Sequence, residues 1–510
     1  MAESAETFGW ISLLPPLLAI VLAMWTRRVI LALFFGLWLG VTMLHRWNPL
    51  TGLRALIEEF AFEQVSDPWN ASVLVLMLCI GGFVRLIVRS GAAEAFATAL
   101  ARVVTNPARA HLAVWCSGIA IFFSDSANPL ILGPLFAPLF DRLRLSREKL
   151  AYLIDSTAAP ICILVPITSW AAFVLSLLAR ESGDLPVEET PLAIYLHSIP
   201  FQFYALGSLF LVPWIGLMGL DYGPMRRAKA RSVATTALAG PSSPRERNET
   251  NPIPLRRAKV GAAALGTLAI VILVVFLGSG GFPDVAVLDA LARGKSITAV
   301  TSGFVAAALM LGGLLLAERA MTLRELITHW IRGAASMSGV LLILTLAWSL
   351  GACCDALGTG AYVGAVVEST VSPLLVPALV FLVGAIVSFA TGSAWGCYAI
   401  LMPISIPLAL QMGVPIHLVL AAVLSGGIFG DHASPISDTT ILSSMGAGCE
   451  HVEHVRTQLP YALTAGVAAL AGFVLAPVWN SAWALLPVLG LLVALPLLFH
   501  RLTRSSLSEV

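Results

Sequence analysis

Apolar runs long enough to cross a bilayer recur along the whole chain. They lie at 70–88, 110–140, 150–178, 193–220, 260–278, 297–317, 335–352, 373–411, 460–478 and 482–499, with two shorter ones at 9–25 and 29–44. A helix needs about 20 such residues to span the hydrocarbon core. Backbone polar groups at that depth must be satisfied within the chain, which commits it to packed helices. Over 510 residues, 58% are apolar and 12% charged, and the mean hydropathy is +0.88. That balance excludes a soluble fold of this size. The expected fold class is an all-α polytopic membrane protein with about 11–13 transmembrane segments. The net charge of +1 points to no partner, and no nucleic acid is expected. Seven cysteines lie mostly inside apolar runs and read as packed side chains rather than a disulfide framework. The N-terminus MAESAETFGW lacks a basic n-region, so the first span is expected to stay in the protein.

Polar interruptions inside these runs carry the functional signal. The richest is Ser425–Ser444, with Asp431, His432 and Asp438 within eight residues and Gly426, Gly427, Gly430 and Pro435 around them. Ser434, Ser437, Thr439 and Thr440 add hydroxyls. A charge at membrane depth costs several kcal/mol, so such residues face a protein interior or a wet cavity and mark ion or proton routes. Gly and Pro open the helix, and open backbone at that depth is tolerated around a cavity. The stretch therefore reads as a broken helix whose carboxylates, hydroxyls and freed carbonyls form a cation site. The plainer reading is a polar loop at the membrane surface. A second interruption, Ser124-Asp125-Ser126-Ala127-Asn128-Pro129, lies inside 110–140. A third, Asp155-Ser156-Thr157, lies inside 150–178, and a fourth runs from Ser388 to Ser393 and includes Thr391.

The two halves echo one another. Pro107 and Pro373 are 266 positions apart, and so are Phe123 and Phe389, each just ahead of a polar break. Paired prolines follow in both halves, Pro134/Pro138 and Pro403/Pro407, and then an Asp-bearing segment at Asp155 or Asp431. Gly- and Pro-interrupted segments in matching positions of two halves point to a secondary transporter. Residues 1–220 then form a first transmembrane repeat and 260–510 a second. The stretch 221–259, with nine Lys or Arg against three acids, reads as a solvated basic linker. Basic loops stay cytoplasmic, which puts 141–149 and 221–259 inside and 179–192 outside. The span count does not fix the relative orientation of the halves. The segment 91–107 suits a re-entrant hairpin or an interfacial helix, 356–371 has re-entrant size, 45–69 reads as amphipathic and interfacial, and 318–333 as amphipathic.

FGDHASPISDTTILSS, followed by His454-Val455-Arg456-Thr457-Gln458-Leu459-Pro460-Tyr461, closely resembles the signature of the NhaC-type sodium/proton antiporters. SREKLAYLIDSTAAPICILVPITSW at 146–170 is similar to the longer members of that family. The resemblance covers most of the chain. It implies two pseudo-symmetric repeats with broken helices and re-entrant hairpins, a scaffold part and a moving part, and a homodimer. Two positions depart from the family's pattern. The run Ser124-Asp125-Ser126 has one acid where two and an aromatic are common, and Ala433 stands where Cys is frequent.

The expected function is secondary transport, exchanging Na+ or Li+ for H+ across the bacterial inner membrane by alternating access. Asp431, Asp155, Asp125 and Asp438, with Ser393 and Thr391, are the expected cation and proton ligands. His432, Ser434, Asn128, Ser156 and Thr157 are expected around them. Sodium favours hard oxygen ligands, and a carboxylate holds either the cation or a proton. For protons to compete near neutral pH, a transport Asp must titrate well above its free value of ~3.9, as burial beside another acid achieves. His432 reads as a pH sensor or as a partner for a freed carbonyl, and Asp438 as a ligand or as a cap on the next half-helix. No cofactor is expected, only Na+ as cargo, and membrane lipid is the surrounding partner. The alternative in the same class is cation- or proton-coupled transport of a small organic acid or amine. An intramembrane aspartyl protease is disfavoured, because Asp431 is not in Gly-x-Gly-Asp and no Tyr-Asp occurs. A metal enzyme using His432, Cys449, His451 and His454 lacks a known ligand spacing, and the last two His are expected at an exposed segment end. A channel would need a continuous pore.

Overall fold

The structure, a computed structural model, describes residues 8–508 apart from 27, 93–94, 96–97, 99–103, 182–189, 239–255, 286–289, 291–293, 360–361, 363–370 and 480. All its regular elements are helices. Among the described residues, nine helices are long and apolar enough to cross a membrane, or up to twelve when each of three bent pairs counts as one span. The pair Val29–Leu44 and Pro49–Ser66 turns through 112°, so the amphipathic stretch lies across the preceding helix, as an interfacial segment does. Most of the two segments of re-entrant size, 91–107 and 356–371, lies outside the described residues.

The polar interruptions are real breaks. Asn106 caps the helix Pro107–Ala120 through the Arg109 N–H at 2.9 Å, and Pro107 supplies the preset φ of a first helical residue. That helix stops before the 121–126 turns, and Ala127–Arg142 resumes beyond them. In the second half Val376–Thr391 ends at Gly392, whose φ of +64° is left-handed. A Cβ there would also stand 2.7 Å from the Ile436 carbonyl, so glycine is required twice over. Ser393 then caps Ala394–Gln411 through the Gly396 N–H at 3.3 Å. Ile416–Ala433 breaks at 434–437 and continues as Asp438–Ala447. In the first half Arg147–Asp155 breaks at 156–158 and continues as Ala159–Leu164 and then Ser169–Glu181.

The halves exchange pieces. Asp438–Ala447, from the second half, packs on Ala127–Arg142, from the first. Their backbones touch, because a Cβ on Gly133 would meet the Gly446 carbonyl carbon at 2.2 Å. In the mirror arrangement Ser169–Glu181 packs on Ala394–Gln411. Trp170 and Phe173 meet Trp395 there, with ring centroids 4.8 and 4.7 Å apart. Both paired prolines lie inside these half-helices, Pro134/Pro138 in one and Pro403/Pro407 in the other.

One expectation changes. The stretch 221–259 is not solvated connector throughout: Pro224–Leu238 is helical and packs on Arg147–Asp155 and His451–Trp479. Met225 and Ala228 are buried, and Lys229 bonds Asp221 at 2.8 Å. The basic composition hid two apolar residues at helical spacing.

Candidate functional site

Three of the breaks meet at one cavity of about 270 Å3. Asp125 enters from the 121–126 turns, and Thr391, Gly392 and Ser393 from the 392–393 break. Ile436 enters from within the 434–437 break, and Asp431 and Asp438 from either side of it. Trp170, Trp395, Ala394 and Val29 complete the walls, and none of the lining residues is basic. Asp431 sits in the last turn of its helix and is 3% exposed; its Oδ1 has no hydrogen-bond partner. Asp125 is half-buried and accepts the Ser126 N–H at 2.7 Å and the Ser126 hydroxyl at 3.1 Å. Asp438 is exposed, opens the next helix, and accepts the Thr439 N–H at 2.8 Å. Asp125 and Asp438 therefore lie at helix N-termini, where free N–H groups and the helix dipole favour a carboxylate. Asp438 is not the cap itself, since Ser437 occupies that position.

The cavity offers hard oxygens of several kinds. Thr391 Oγ1 donates to the Val387 carbonyl at 2.9 Å and keeps its lone pairs. Among the described residues, no three His, Cys, Asp or Glu side chains converge tightly enough to hold a metal ion between them. The carboxylates are spread around the wall instead. A cation taken up here meets one or two carboxylates, with hydroxyl, carbonyl or water oxygens filling its shell.

Asp155 does not line this cavity. It is 1% exposed, in a second polar cluster on the other side of the broken helix. Its Oδ2 accepts the Thr440 hydroxyl at 3.0 Å and the Gln458 amide at 2.7 Å. His454 Nε2 stands 3.6 Å away and His432 Nε2 4.0 Å away. His432 meets no freed carbonyl through its ring: Nδ1 bonds the Tyr204 hydroxyl at 2.7 Å and Nε2 the Ser156 hydroxyl at 3.3 Å. Asn128, Ser156, Thr157 and Ser434 also stand outside the cavity and tie the breaks together. The Asn128 amide donates to the Gly118 and Thr157 carbonyls at 3.2 and 3.0 Å. Thr157 Oγ1 donates to the Leu153 carbonyl at 2.9 Å. Ser434 Oγ donates to the Phe389 carbonyl at 2.8 Å. These bonds satisfy carbonyls that helix ends leave free.

His454 corrects the expectation of an exposed segment end, being 0% exposed. Its helix starts at His451, so residue 454 is one turn in and faces the core with Gln458. His451 does lie outermost, bonding the Pro435 carbonyl at 2.6 Å. Trp170, Trp395, Tyr204 and Gln458 are given no role by the sequence. Trp170 and Gln458 fall inside the two family-like stretches, which is the signal that could have found them.

The chain matches the model of the Na+/H+ antiporter family over residues 69–211 and 161–477. It is 30% identical over 483 residues to an uncharacterised protein of Haemophilus influenzae, which spans 91% of this chain and 90% of that protein. Over 132 residues, 22% of this chain and 28% of the relative, it is 31% identical to the malate-2H+/Na+-lactate antiporter of Bacillus subtilis. Among solved structures, its fold is similar to the Alcanivorax borkumensis YdaH transporter, with a TM-score of 0.57 and 18% identity over 85% of this chain and 90% of that one. The family match, on a chain whose described residues hold nine to twelve candidate apolar spans, makes this a multi-pass membrane transporter coupled to cations or protons, not an enzyme. Within that class, the chain belongs to the Na+/H+ antiporter family.

Proposed function

We propose that this protein exchanges Na+ for H+ across the cell membrane by alternating access at the Asp125–Asp431–Asp438 cavity. The observation that carries this reading is the meeting of three carboxylates, from both halves, in one cavity without a basic residue. A buried carboxylate with no countercharge is costly. Asp431, whose Oδ1 has no partner, is relieved either by a cation or by a proton. Loaded with either, the Asp431 carboxylate is neutralised as the site reorients; empty, it carries the full cost, and that penalty on the empty site is what makes exchange obligatory. Asp125 and Asp438 then supply the second carboxylate and steer the cation toward Asp431.

The malate-2H+/Na+-lactate relative raises a second reading, a coupled organic substrate. An organic anion would meet three carboxylates and no basic side chain in this cavity, which disfavours it. An organic amine fits the charge. The family plan further implies a homodimer, checked by the mass of the detergent-solubilised protein. The functional test is flux in proteoliposomes carrying an internal pH dye, with Na+, Li+, K+ and a labelled amine offered in turn. Proton movement driven by Na+ or Li+ and saturating with concentration supports the exchange. Movement driven by the amine alone would overturn it.

A further inference from the structure

We infer that Asp155 and Gln458 are positioning residues that hold the 434–437 break in register, so that Asp431 and Asp438 face one cavity. The inference rests on the cavity being the transport site, and it gives Asp155 a different role from that of a cation ligand. The geometry is a single clasp. Gln458 lies on His451–Trp479, and its Nε2 donates to Asp155 Oδ2 at 2.7 Å and to the His432 carbonyl at 2.6 Å. Both amide hydrogens are therefore used. The His432 carbonyl is among the last of its helix and lacks a helical partner beyond the break. Beyond the break, Thr440 donates its hydroxyl to the same Asp155 oxygen at 3.0 Å. One carboxylate from the first half thus grips the end of Ile416–Ala433, through Gln458, and the start of Asp438–Ala447, through Thr440.

Asp155 also fixes which way the Gln458 amide points. Two acceptors face its nitrogen, so the flipped amide would set its oxygen against a carboxylate and a carbonyl. Asp431 precedes His432 by one residue and Asp438 precedes Thr440 by two. A slip at either end of the clasp moves one cavity carboxylate relative to the other. The clasp is buried, with Asp155, His432, Thr440 and Gln458 each 3% exposed or less.

The role makes a distinction that an ion-carrying role does not. An Asn at 155 still presents an acceptor oxygen to Thr440 and Gln458, whereas an apolar side chain at 458 removes both of its bonds. The experiment compares Asp155→Asn, Gln458→Leu and Thr440→Val with Asp431→Asn in proteoliposome exchange, and follows deuterium uptake over 432–441. Asp155→Asn is expected to keep maximal rate and apparent Na+ KM within roughly threefold of the parent, as for one altered hydrogen bond. Gln458→Leu is expected to raise the KM about 10-fold with a smaller loss of maximal rate, and Thr440→Val to do so by less. Uptake over 432–441 should rise in Gln458→Leu and Thr440→Val and stay near the parent in Asp155→Asn. Loss of exchange at every Na+ concentration in a folded Asp155→Asn would make Asp155 an ion carrier and overturn the proposal. An unchanged KM and unchanged uptake in Gln458→Leu would overturn it as well. The uptake measurement needs no transported ion. Failure of the Na+/H+ reading would therefore appear as absent flux in the parent with the uptake difference intact.

Discussion

Among the acids that line the cavity, Asp431 has a buried carboxylate oxygen with nothing to bond; Asp155 Oδ1 is also buried and unbonded, but it lies outside the cavity and its other oxygen is held by Thr440 and Gln458. Burial with one atom free is what a site for an exchangeable cation or proton requires, since any fixed partner would compete with the cargo. Asp431→Asn keeps the volume but removes the charge, and is expected to abolish Na+-driven proton movement while the protein still purifies as a folded species. Dye-monitored flux checks this; a near-parental rate would exclude Asp431 as the carrier. Asp438 sits at the same cavity but is exposed and already accepts the Thr439 N–H. Its substitution should be milder. Asp438→Asn is expected to raise the apparent Na+ KM by roughly 10-fold, the scale of one charged contact, and to leave the maximal rate largely intact. If it instead lowers the melting temperature and leaves the KM alone, Asp438 serves only its helix end. The proposed exchange has H+ and Na+ competing for one carboxylate, so the apparent KM of the parent should also rise as pH falls, with the maximal rate recovered at high Na+.

The helices differ in how far sequence discloses them. The breaks were legible because Asp, Gly and Pro stand out in apolar runs, and the structure puts turns at 121–126, 392–393 and 434–437. Which half-helix packs on which was not legible, because Gly133 and Gly446 look like any small residue until their backbones meet. Trp170 and Trp395 read as generic apolar bulk, and His454 and Gln458 share a face whose partner lies 300 residues away in the chain. The Gly133–Gly446 contact carries its own prediction. Gly446→Ala would place a Cβ 2.3 Å from the Pro129 carbonyl, an overpacking expected to cost about 1–3 kcal/mol and visible as a lower melting temperature in detergent. The helix Pro224–Leu238 is held differently, through charge. Asp221 bonds Lys149 at 3.0 Å and Lys229 at 2.8 Å. Burial pushes the Asp221 carboxyl up, but the two lysines outweigh it and hold it at about 2. A depressed carboxyl stabilises above its unfolded value of ~3.9 and loses that contribution as pH falls toward the folded value. Asp221→Asn strands the buried Lys149 and should lower stability by about 3–5 kcal/mol. The loss should be uniform from pH 5 to 8, where Asp221 is charged in both states. Adding Lys149→Met should restore part of it, because no buried charge then remains unpaired.

Across the whole molecule, the pieces that form the acid-lined cavity do not belong to one half. Asp125 and Trp170 come from the first and Asp431, Asp438 and Ser393 from the second. The packing repeats this exchange, with Asp438–Ala447 laid on Ala127–Arg142 and Ser169–Glu181 on Ala394–Gln411. The clasp at Asp155 crosses the halves a third time. The two halves are therefore a single unit in three dimensions. Each half alone would leave its half-helices without partners and its carboxylates without a cavity, at a depth where unsatisfied polar groups are costly. Pro224–Leu238 packs on helices of both halves, and the residues that line the cavity all lie outside 221–259. A chain divided within 239–255 is thus expected to reassemble. Fragments 1–238 and 256–510 expressed together should copurify and restore Na+-driven proton movement in proteoliposomes. Either fragment expressed alone should aggregate or be degraded. A monodisperse, stable single fragment would show that the halves are independent domains, and would remove the reason for placing the site between them.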